Sequence, residues 1–330
     1  MTQIDMKAIK LTKPCSADEL NPVLVPCPKL KKGYVLIKVK AFGVNESEVT
    51  SRKGESSADF SYPRILGIEG VGIIKEVNPN SLFKVGQKVA TMMGGMGRAI
   101  DGSYAEYMMV KEENVIPLQT DLPWDVIGAM PEMLQTAYGS LTEGLQVRSG
   151  DTLLIRGGSS TVGLMAIVVG KMLGARVVAT TRQNKKIAEL NFYGADEVVI
   201  DDSMIAATIS RIVPEGFDKA LELVGVTTLF QDMDFLRDNG LLCFTGALAG
   251  KWTIENFSPF LIPKGKYLTS YDGGTNDLPA KVFNKVLAQV ASGEVKVPIA
   301  KVYHGLEEVG QAQENLESGK YLGKHVVVLD

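Results

Sequence analysis

The chain has 330 residues, of which 45% are hydrophobic and 22% charged, and its formal net charge is −3. A chain of this length exceeds one ordinary hydrophobic core, so we expect two domains. The nearly balanced charge gives no reason to expect a nucleic-acid partner, and no apolar run approaches the roughly 20 residues that a membrane helix needs.

The cysteines Cys15, Cys27 and Cys243 lie far apart, and the histidines are His304 and His325. An odd number of unclustered cysteines argues against a disulfide framework and fits a reducing compartment. So few possible ligands predict no metal site. Because the opening residues MTQIDMKAIKL lack the apolar core of a signal peptide, we expect a cytoplasmic protein without a membrane partner.

Residues 1–123 have the pattern of a β-rich domain. A strand with one buried face is predicted over 35–41, because every second residue there is apolar and alternates with a polar or outward position: Val35, Ile37, Val39 and Ala41. Further strands are predicted over 65–77 and 88–93. The many glycines in and after the first of these strands favour the tight corners of a β-barrel.

From residue 124 onwards the pattern changes. A helix is predicted over 124–141, interrupted at Pro131. Strands and helices then alternate, which predicts an α/β domain with a doubly wound parallel sheet. The predicted strands are 153–156, 177–180, 197–200, 219–224 and 241–245, and the helices are 162–173, 185–192, 206–213 and 229–236. Beyond residue 264 we expect helices at 282–291 and 306–317 and a last strand at 325–329.

A glycine- and serine-rich turn joins the first strand of this domain to its helix. It reads Gly157, Gly158, Ser159, Ser160, Thr161, Val162, Gly163. Small residues let the backbone approach a pyrophosphate, and the helix N-terminus attracts it, so the turn predicts a dinucleotide site. Ser160 stands where the usual pattern has its middle glycine.

The end of the second strand indicates which dinucleotide is bound. NAD-binding domains usually carry a carboxylate there, whereas this chain has Thr181 and Arg182, with Lys185 and Lys186 close behind. Cationic groups attract the 2′-phosphate of NADP, so we expect NADPH as the cofactor. The alternative for one of the two lysines is an ordinary solvated helix face.

Several further motifs carry a resemblance to a known family. They are Gly43-Val44-Asn45, the run from Ile65 to Gly72, the run from Gly102 to Tyr107, and Thr136-Ala137-Tyr138. With the glycine-rich turn they resemble the medium-chain dehydrogenases/reductases, and most closely the zinc-independent quinone oxidoreductase and enoyl reductase branch. The resemblance implies a GroES-like β-rich catalytic domain over 1–123, a Rossmann NADP-binding domain over 124–264, and a C-terminal return over 265–330 that completes the catalytic domain.

The same resemblance assigns further cofactor contacts. Asn45 and Thr136 would lie near the nicotinamide end, and Tyr193 beside the adenosine 2′-phosphate. For Tyr193, packing of a helix-end side chain against the sheet is a serious rival. Backbone at two later strand ends would border the ribose and nicotinamide, Val224 at one end and Gly246 with Ala247 at the other. Asn315 and Lys324 are weaker candidates for the nicotinamide side.

Two departures from the zinc alcohol dehydrogenases predict chemistry without metal. Those enzymes have Gly-His-Glu where this chain has Gly67-Ile68-Glu69, and Ile68 cannot coordinate zinc. Cysteines for a structural zinc lobe are also missing between Cys27 and Cys243. Without a Lewis acid, reduction of an electron-poor acceptor is favoured over oxidation of an alcohol.

The proton donor is not fixed by the sequence. Relatives often place a tyrosine within 45–54, where spacing in this chain gives Thr50, a poor acid. Tyr62 is an alternative, as are Tyr104, Tyr271 and solvent. Asn45, Thr50 and Tyr62 are therefore the candidates for the catalytic centre.

The sequence thus predicts an NADPH-dependent oxidoreductase that passes hydride to a small quinone or activated enone. The first alternative is a 2-enoyl thioester reductase, and a second is an NADPH-binding sensor without turnover. Family members assemble through their Rossmann sheets, so a homodimer or tetramer is expected.

Overall fold

The structure is a computed structural model that describes residues 4–56, 60–274 and 276–330. It divides into two compact units. Unit 1 contains residues 1–132 and 274–330, and unit 2 contains residues 133–273. Both junctions lie further along the chain than the expected 123/124 and 264/265. The first does so because the short helix that follows residue 123 packs on the β-rich unit, and the second because a strand at residues 267–270 still belongs to the parallel sheet of unit 2.

The first part of unit 1 is mainly β-structure. Its strands are β1 (Asp5–Ala8), β2 (Lys10–Leu11), β3 (Val23–Pro26), β4 (Tyr34–Val44), β5 (Arg64–Ile65), β6 (Glu69–Glu76), β7 (Lys88–Met92), β8 (Tyr107–Lys111) and β9 (Val115–Pro117). Two helices accompany them, α1 (Glu46–Lys53) and α2 (Trp124–Gly128). Next comes α3 (Pro131–Gly139), which contains the junction between the units and ends in a π-helical turn at Ser140–Gly144. The predicted break at Pro131 is confirmed.

Unit 2 alternates strands and helices. Its strands are β10 (Thr152–Arg156), β11 (Arg176–Thr181), β12 (Glu197–Ile200), β13 (Phe217–Glu222), β14 (Leu236–Phe244) and β15 (Tyr267–Ser270). Its helices after α3 are α4 (Thr161–Met172), α5 (Ile187–Phe192), α6 (Ile205–Ile212) and α7 (Leu229–Asp234). The strands are paired in the order β12-β11-β10-β13-β14-β15, and every pair is parallel. The predicted doubly wound sheet is therefore confirmed.

The chain then returns to unit 1 and completes its sheet. The returning elements are α8 (Ala280–Ala291), β16 (Ile299–His304), α9 (Val309–Glu317) and β17 (Lys324–Val328). Strand β17 lies between β16, to which it is parallel, and β4, to which it is antiparallel, so the last strand of the chain is an interior strand of the sheet. The GroES-like and Rossmann expectations are both confirmed.

Packing explains where the first junction falls. A Cβ added to Gly128 in α2 would lie 2.6 Å from Ala41 Cβ in β4 and 3.3 Å from Val326 Cγ1 in β17. Helix α2 therefore rests directly on the sheet of unit 1. In the described residues, no helix combines the length and the apolar character needed to cross a membrane.

Candidate functional site

The carboxyl edge of the parallel sheet in unit 2 gathers most of the predicted cofactor residues. Strand β10 lies between β11 and β13. The chain adds β11 and β12 on one side of β10 and then β13, β14 and β15 on the other, so the strand order reverses its direction at β10. In doubly wound sheets a ligand binds at such a switch in direction, outside the carboxyl ends of the strands. The turn after β10 therefore occupies the expected position for a nucleotide.

Glycine is required at three positions of this turn. Gly157 has a φ of +81°, which other residues rarely adopt. A Cβ on Gly158 would lie 2.8 Å from Ala179 Cβ, and one on Gly163 would lie 2.4 Å from the carbonyl oxygen of Gly157. Without side chains at these positions, α4 packs closely against the ends of β10 and β11.

Ser160 has a structural use at the position of the usual middle glycine. Its Oγ accepts a hydrogen bond from the Gly163 N–H at 3.0 Å and donates to the Gly157 carbonyl at 2.9 Å. Ser160 is thus the N-cap of α4, a role in which serine is favoured. The N–H groups of Thr161 and Val162 belong to the first turn of this helix, where helix geometry provides no intrahelical acceptor. Such groups suit a phosphate.

The end of β11 shapes the same turn. Thr180 Oγ1 accepts a hydrogen bond from the Gly157 N–H at 3.0 Å. Thr181 is 3% exposed, and its Oγ1 donates to Ser159 Oγ at 3.3 Å. Thr181 therefore shapes the turn with a hydroxyl that is already engaged inside the protein.

Three cationic residues follow Thr181. Arg182 and Lys185 are exposed, whereas Lys186 is half-buried. Burial lowers the pKa of Lys186, and the positive charges of Lys185 and Arg182 lower it further. These groups are therefore close enough to repel one another, and an anion bound among them would relieve that repulsion.

The ends of β13 and β14 are joined by backbone hydrogen bonds. The N–H of Gly246 donates to the carbonyl of Glu222 at 3.3 Å, and the N–H of Ala249 donates to the carbonyl of Val224 at 2.8 Å. Val224, Gly246 and Ala247 consequently lie together at the carboxyl edge. A Cβ on Gly157 would lie 3.3 Å from Val224 Cγ2, so this pair of loops adjoins the glycine-rich turn.

For Tyr193 the contact with the 2′-phosphate stays a prediction, and the course of the chain around it does not favour it. It ends α5, which runs back towards the start of β12. A Cβ on the next residue, Gly194, would lie 3.1 Å from Lys171 Cγ, and Lys171 pairs with Asp196 just before β12. A helix between parallel strands returns the chain to the amino edge, so its last residue lies far from the phosphate turn.

Thr136 lies half-buried on α3. The end of that helix meets the carboxyl edge, because Ser140 Oγ and Thr245 Oγ1 are 3.0 Å apart. Thr136 lies four residues before Ser140, about one helical turn from this contact. Its role as a cofactor contact stays a prediction.

In unit 1, Asn45 belongs to a buried network of charged groups. It is 8% exposed, and its Oδ1 accepts a hydrogen bond from the ammonium of Lys324. Its Nδ2 donates to Glu69 Oε1 at 3.0 Å, and its backbone N–H donates to Glu48 Oε2 at 2.8 Å. Lys324 Nζ also contacts Glu69 Oε1 at 2.7 Å and Glu132 Oε2 at 3.0 Å. The Asn45 carboxamide is therefore held in one orientation.

The charges in this network perturb one another. Burial raises the pKa of Glu48 to about 7, opposed by the hydrogen bond from the Ile68 N–H, while the neighbouring charge of Glu69 raises it further. Burial also raises the pKa of Glu69. Burial alone would lower the pKa of Lys324, but the carboxylates of Glu69 and Glu132 raise it above its ordinary value. The lysine is thus a permanent cation among three glutamates.

The other two catalytic candidates use their hydroxyls internally. Thr50 Oγ1 donates to the Glu46 carbonyl at 2.9 Å, within α1. Tyr62 donates to the Ser51 carbonyl at 3.0 Å, and burial raises the pKa of its phenol. Asn315, suggested for the nicotinamide side, donates to the Tyr303 hydroxyl at 2.8 Å. Their assignment to the reaction stays a prediction, as does that of Asn45.

Sequence reasoning missed several buried charges that shape these regions. Glu48, Glu132, Arg156 and Glu222 are all at most 9% exposed. Two of them stand at the end of an apolar strand, Arg156 after Leu-Leu-Ile and Glu222 after Ala-Leu. Burying a charge costs free energy unless the charge is paired. A charged residue at the end of an apolar strand was therefore the sign in the sequence that a buried ion pair or hydrogen-bond network lies there.

Comparison with known proteins decides the family. The model for the alcohol dehydrogenase GroES-like domain matches residues 31–120, and the model for zinc-binding dehydrogenase matches residues 161–292. Quinone oxidoreductase from Homo sapiens is 29% identical over 317 residues, which cover 94% of this chain and 92% of that protein. The chain belongs to the medium-chain dehydrogenase/reductase superfamily.

Solved structures of similar proteins agree. The crystal structure of AibC superposes with a TM-score of 0.87 at 28% identity, covering 99% of this chain and 97% of that one. A mycobacterial protein complexed with NADPH has the same fold, with a TM-score of 0.85 at 24% identity and coverage of 98% and 99%. This member of the superfamily is quinone oxidoreductase-like, as the motifs predicted, and an oxidoreductase.

Proposed function

We propose that this protein is an NADPH-dependent oxidoreductase that transfers hydride to a small quinone or activated enone without a metal ion. The observation that carries the proposal is the cationic cluster of Arg182, Lys185 and Lys186 beside the glycine-rich turn of unit 2. A carboxylate at the end of β11 would repel a 2′-phosphate, whereas this cluster attracts one.

The residues present fit such a cofactor. The N-terminus of α4 and the small residues from Gly158 to Gly163 would hold the pyrophosphate, and Arg182 with Lys186 would hold the 2′-phosphate. Val224, Gly246 and Ala247 would border the ribose and nicotinamide. When bound, NADPH supplies the hydride.

Chemistry without zinc is proposed from the residues themselves. Ile68 occupies the position of the metal-binding histidine of the zinc alcohol dehydrogenases, and it is 7% exposed with an apolar side chain. The adjacent Glu69 is paired with Lys324. Across the described ranges, no group of three or more histidine, cysteine or acidic residues is arranged to hold a metal ion.

All three catalytic candidates have internal hydrogen-bond partners, and the amide of Asn45 is bonded to Lys324 and Glu69. Thr50 and Tyr62 donate to backbone carbonyls, so each would have to break a hydrogen bond before it could serve an acceptor. Asn45 has a fixed amide that can orient a neighbouring group but carries no acidic proton. We therefore propose that solvent protonates the reduced acceptor, a requirement that a quinone tolerates better than an enolate intermediate.

The unpaired cysteines Cys15, Cys27 and Cys243 support a cytoplasmic location, because thiols stay reduced there.

A panel of acceptors with both nicotinamide cofactors tests this function. Purified protein is mixed with NADPH or NADH and with a quinone, a free enone, or an enoyl-CoA thioester, and cofactor oxidation is followed by absorbance. We expect turnover with quinones and enones, with kcat/KM for NADPH roughly tenfold or more above that for NADH.

Each of the other outcomes would contradict a part of this proposal and support a different function or mechanism. Preference for the thioester would replace the quinone assignment with the 2-enoyl thioester reductase. Tight NADPH binding with no turnover on any acceptor would indicate a sensor. Turnover that is lost on removal of a stoichiometric metal would contradict the zinc-free proposal.

A further inference from the structure

A buried ion-pair network lies beneath the carboxyl edge of the sheet in unit 2. Arg156 ends β10, and its side chain is 2% exposed. Its guanidinium donates to both carboxylate oxygens of Asp201, at 3.0 and 2.8 Å, to Gln231 Oε1 at 3.0 Å, and to Asp232 Oδ1. The network therefore joins β10 to the end of β12 and to α7.

A second buried carboxylate holds the turn after β13. Glu222 is fully buried, and its Oε1 accepts hydrogen bonds from the N–H groups of Val224 and Gly225. Its Oε2 accepts from Thr228 Oγ1 at 2.8 Å. The carboxylate thus fixes the backbone at the residues proposed to border the nucleotide.

Asp232 and Glu222 meet around Thr228 at the start of α7, where the Asp232 N–H donates to the Thr228 carbonyl at 2.9 Å and Thr228 Oγ1 donates to Glu222. Among the residues that the structure describes, Asp232 Oδ2 is buried and receives no hydrogen bond from an N–H or O–H group. Burial raises the pKa of Asp232 well above its ordinary value, and the adjacent carboxylate of Glu222 raises it further, against the opposing charge of Arg156. A protonated Asp232 satisfies this oxygen, because its O–H then donates to Glu222.

We propose that Asp232 is a positioning residue of the cofactor site. Its protonated carboxyl group donates to Glu222, Glu222 holds the turn from Val224 to Gly225, and Arg156 orients Asp232 through its other oxygen. The relevance to the cofactor rests on the proposed function, but the effect on the turn does not require a bound nucleotide.

The position of the turn explains why this support matters. The turn lies against the loop after β14, where the Leu248 N–H donates to the Leu223 carbonyl at 3.0 Å. Gly225 has a φ of +123°, and a Cβ there would lie 2.8 Å from the Lys251 carbonyl oxygen. Loss of the Glu222 contacts would therefore loosen two of the loops that form the proposed nucleotide site.

Two substitutions of Asp232 separate this role from a general loss of stability. In Asp232→Asn, the amide N–H₂ replaces the O–H donor to Glu222, and its oxygen still accepts from Arg156. In Asp232→Ala, Glu222 loses its donor and one N–H of Arg156 loses its acceptor. Asp218→Ala is the matched control, because Asp218 lies near the other end of β13, where it accepts from the Thr152 N–H and pairs with Arg237.

Amide hydrogen exchange of the segment 223–226 in the cofactor-free protein is the first measurement, and NADPH affinity by fluorescence titration is the second. We expect Asp232→Asn to match the wild type in both. Asp232→Ala should exchange roughly tenfold faster in this segment and bind NADPH roughly tenfold more weakly, as expected for a buried acceptor left unpaired. Asp218→Ala should leave the exchange of 223–226 unchanged.

If Asp232→Asn exchanges as fast as Asp232→Ala, the aspartate acts as an anion and the proposal is wrong. If the alanine variant does not fold, the exchange of Asp232→Asn is compared with that of the wild type alone. Faster exchange in the asparagine variant would then overturn the proposal. A wild-type protein that fails to bind NADPH would contradict the proposed function, while the exchange comparison would still judge the role of Asp232.

Discussion

Arg182 is the residue on which cofactor choice depends most directly. It follows β11, its guanidinium is exposed, and Lys186 lies close enough for their charges to interact. The sequence predicted this residue because one charge at one strand end has a direct chemical meaning. It could not predict that Thr181 is buried, because that depends on the packing of the turn against β11.

Replacing Arg182 with alanine should weaken NADPH binding much more than NADH binding. We expect a roughly ten- to hundredfold rise in the Kd for NADPH, since a charge-assisted hydrogen bond to phosphate is lost. Titration of the variant with each cofactor checks this. Arg176→Ala is the control, because Arg176 begins the same strand and is exposed at the opposite edge. Equal losses for NADPH and NADH would remove the 2′-phosphate assignment.

At the level of elements, α1 shows how a local signal and a tertiary environment combine. Asn45 and Glu48 form a capping box at its N-terminus, a spacing visible in the sequence. The structure adds Lys324, Glu69 and Glu132, which reach this helix end from distant parts of the chain. Several strands were not predicted, because short or partly exposed strands carry little apolar periodicity: β1, β2, β3, β8, β9, β15 and β16.

This environment predicts a pH dependence of stability that Glu48 causes. Its pKa of about 7 in the folded protein exceeds the ordinary value of 4.5, so the folded state binds the proton more tightly. The free energy of unfolding should therefore fall as pH rises through this window, by on the order of 3 kcal/mol. Urea unfolding at pH 5, 6, 7 and 8 measures the fall.

The Glu48→Gln variant should lack this part of the pH dependence. Its stability should be lower at acidic pH, because the amide nitrogen cannot accept from the Asn45 or the Ile68 N–H. Glu113→Gln, which removes an exposed carboxylate, is the control and should retain the wild-type profile. An unchanged profile in Glu48→Gln would show that another group titrates.

For the whole molecule, the edge of the sheet in unit 2 is the expected surface for assembly. Strand β15 is the last strand of the sheet order and pairs with β14 on one side. The segment before and within it exposes several large apolar side chains: Leu248, Trp252, Phe257, Phe260, Leu261 and Tyr267. A strand edge beside exposed apolar groups favours pairing with a second copy of the chain.

Sedimentation velocity should accordingly detect a dimer or tetramer of the wild-type protein. Phe260, which is 98% exposed, should favour the dissociated form when replaced with aspartate, because a charge would be buried in the interface. Leu82→Asp is the control, since Leu82 is 93% exposed in a turn of unit 1. A wild-type protein that remains monomeric at micromolar concentration would contradict this assembly.

The sequence by itself determined the two-part fold, the glycine-rich turn and the cationic end of β11. These features depend on local patterns: apolar periodicity, glycine where the backbone needs space, and charge at one strand end. Only the tertiary structure decided how Ser160 replaces a glycine, where Tyr193 lies, and which partners stabilise the buried polar groups of Asn45, Glu222 and Asp232. Those outcomes depend on groups that are distant in sequence and meet only after folding, so no local pattern contains them.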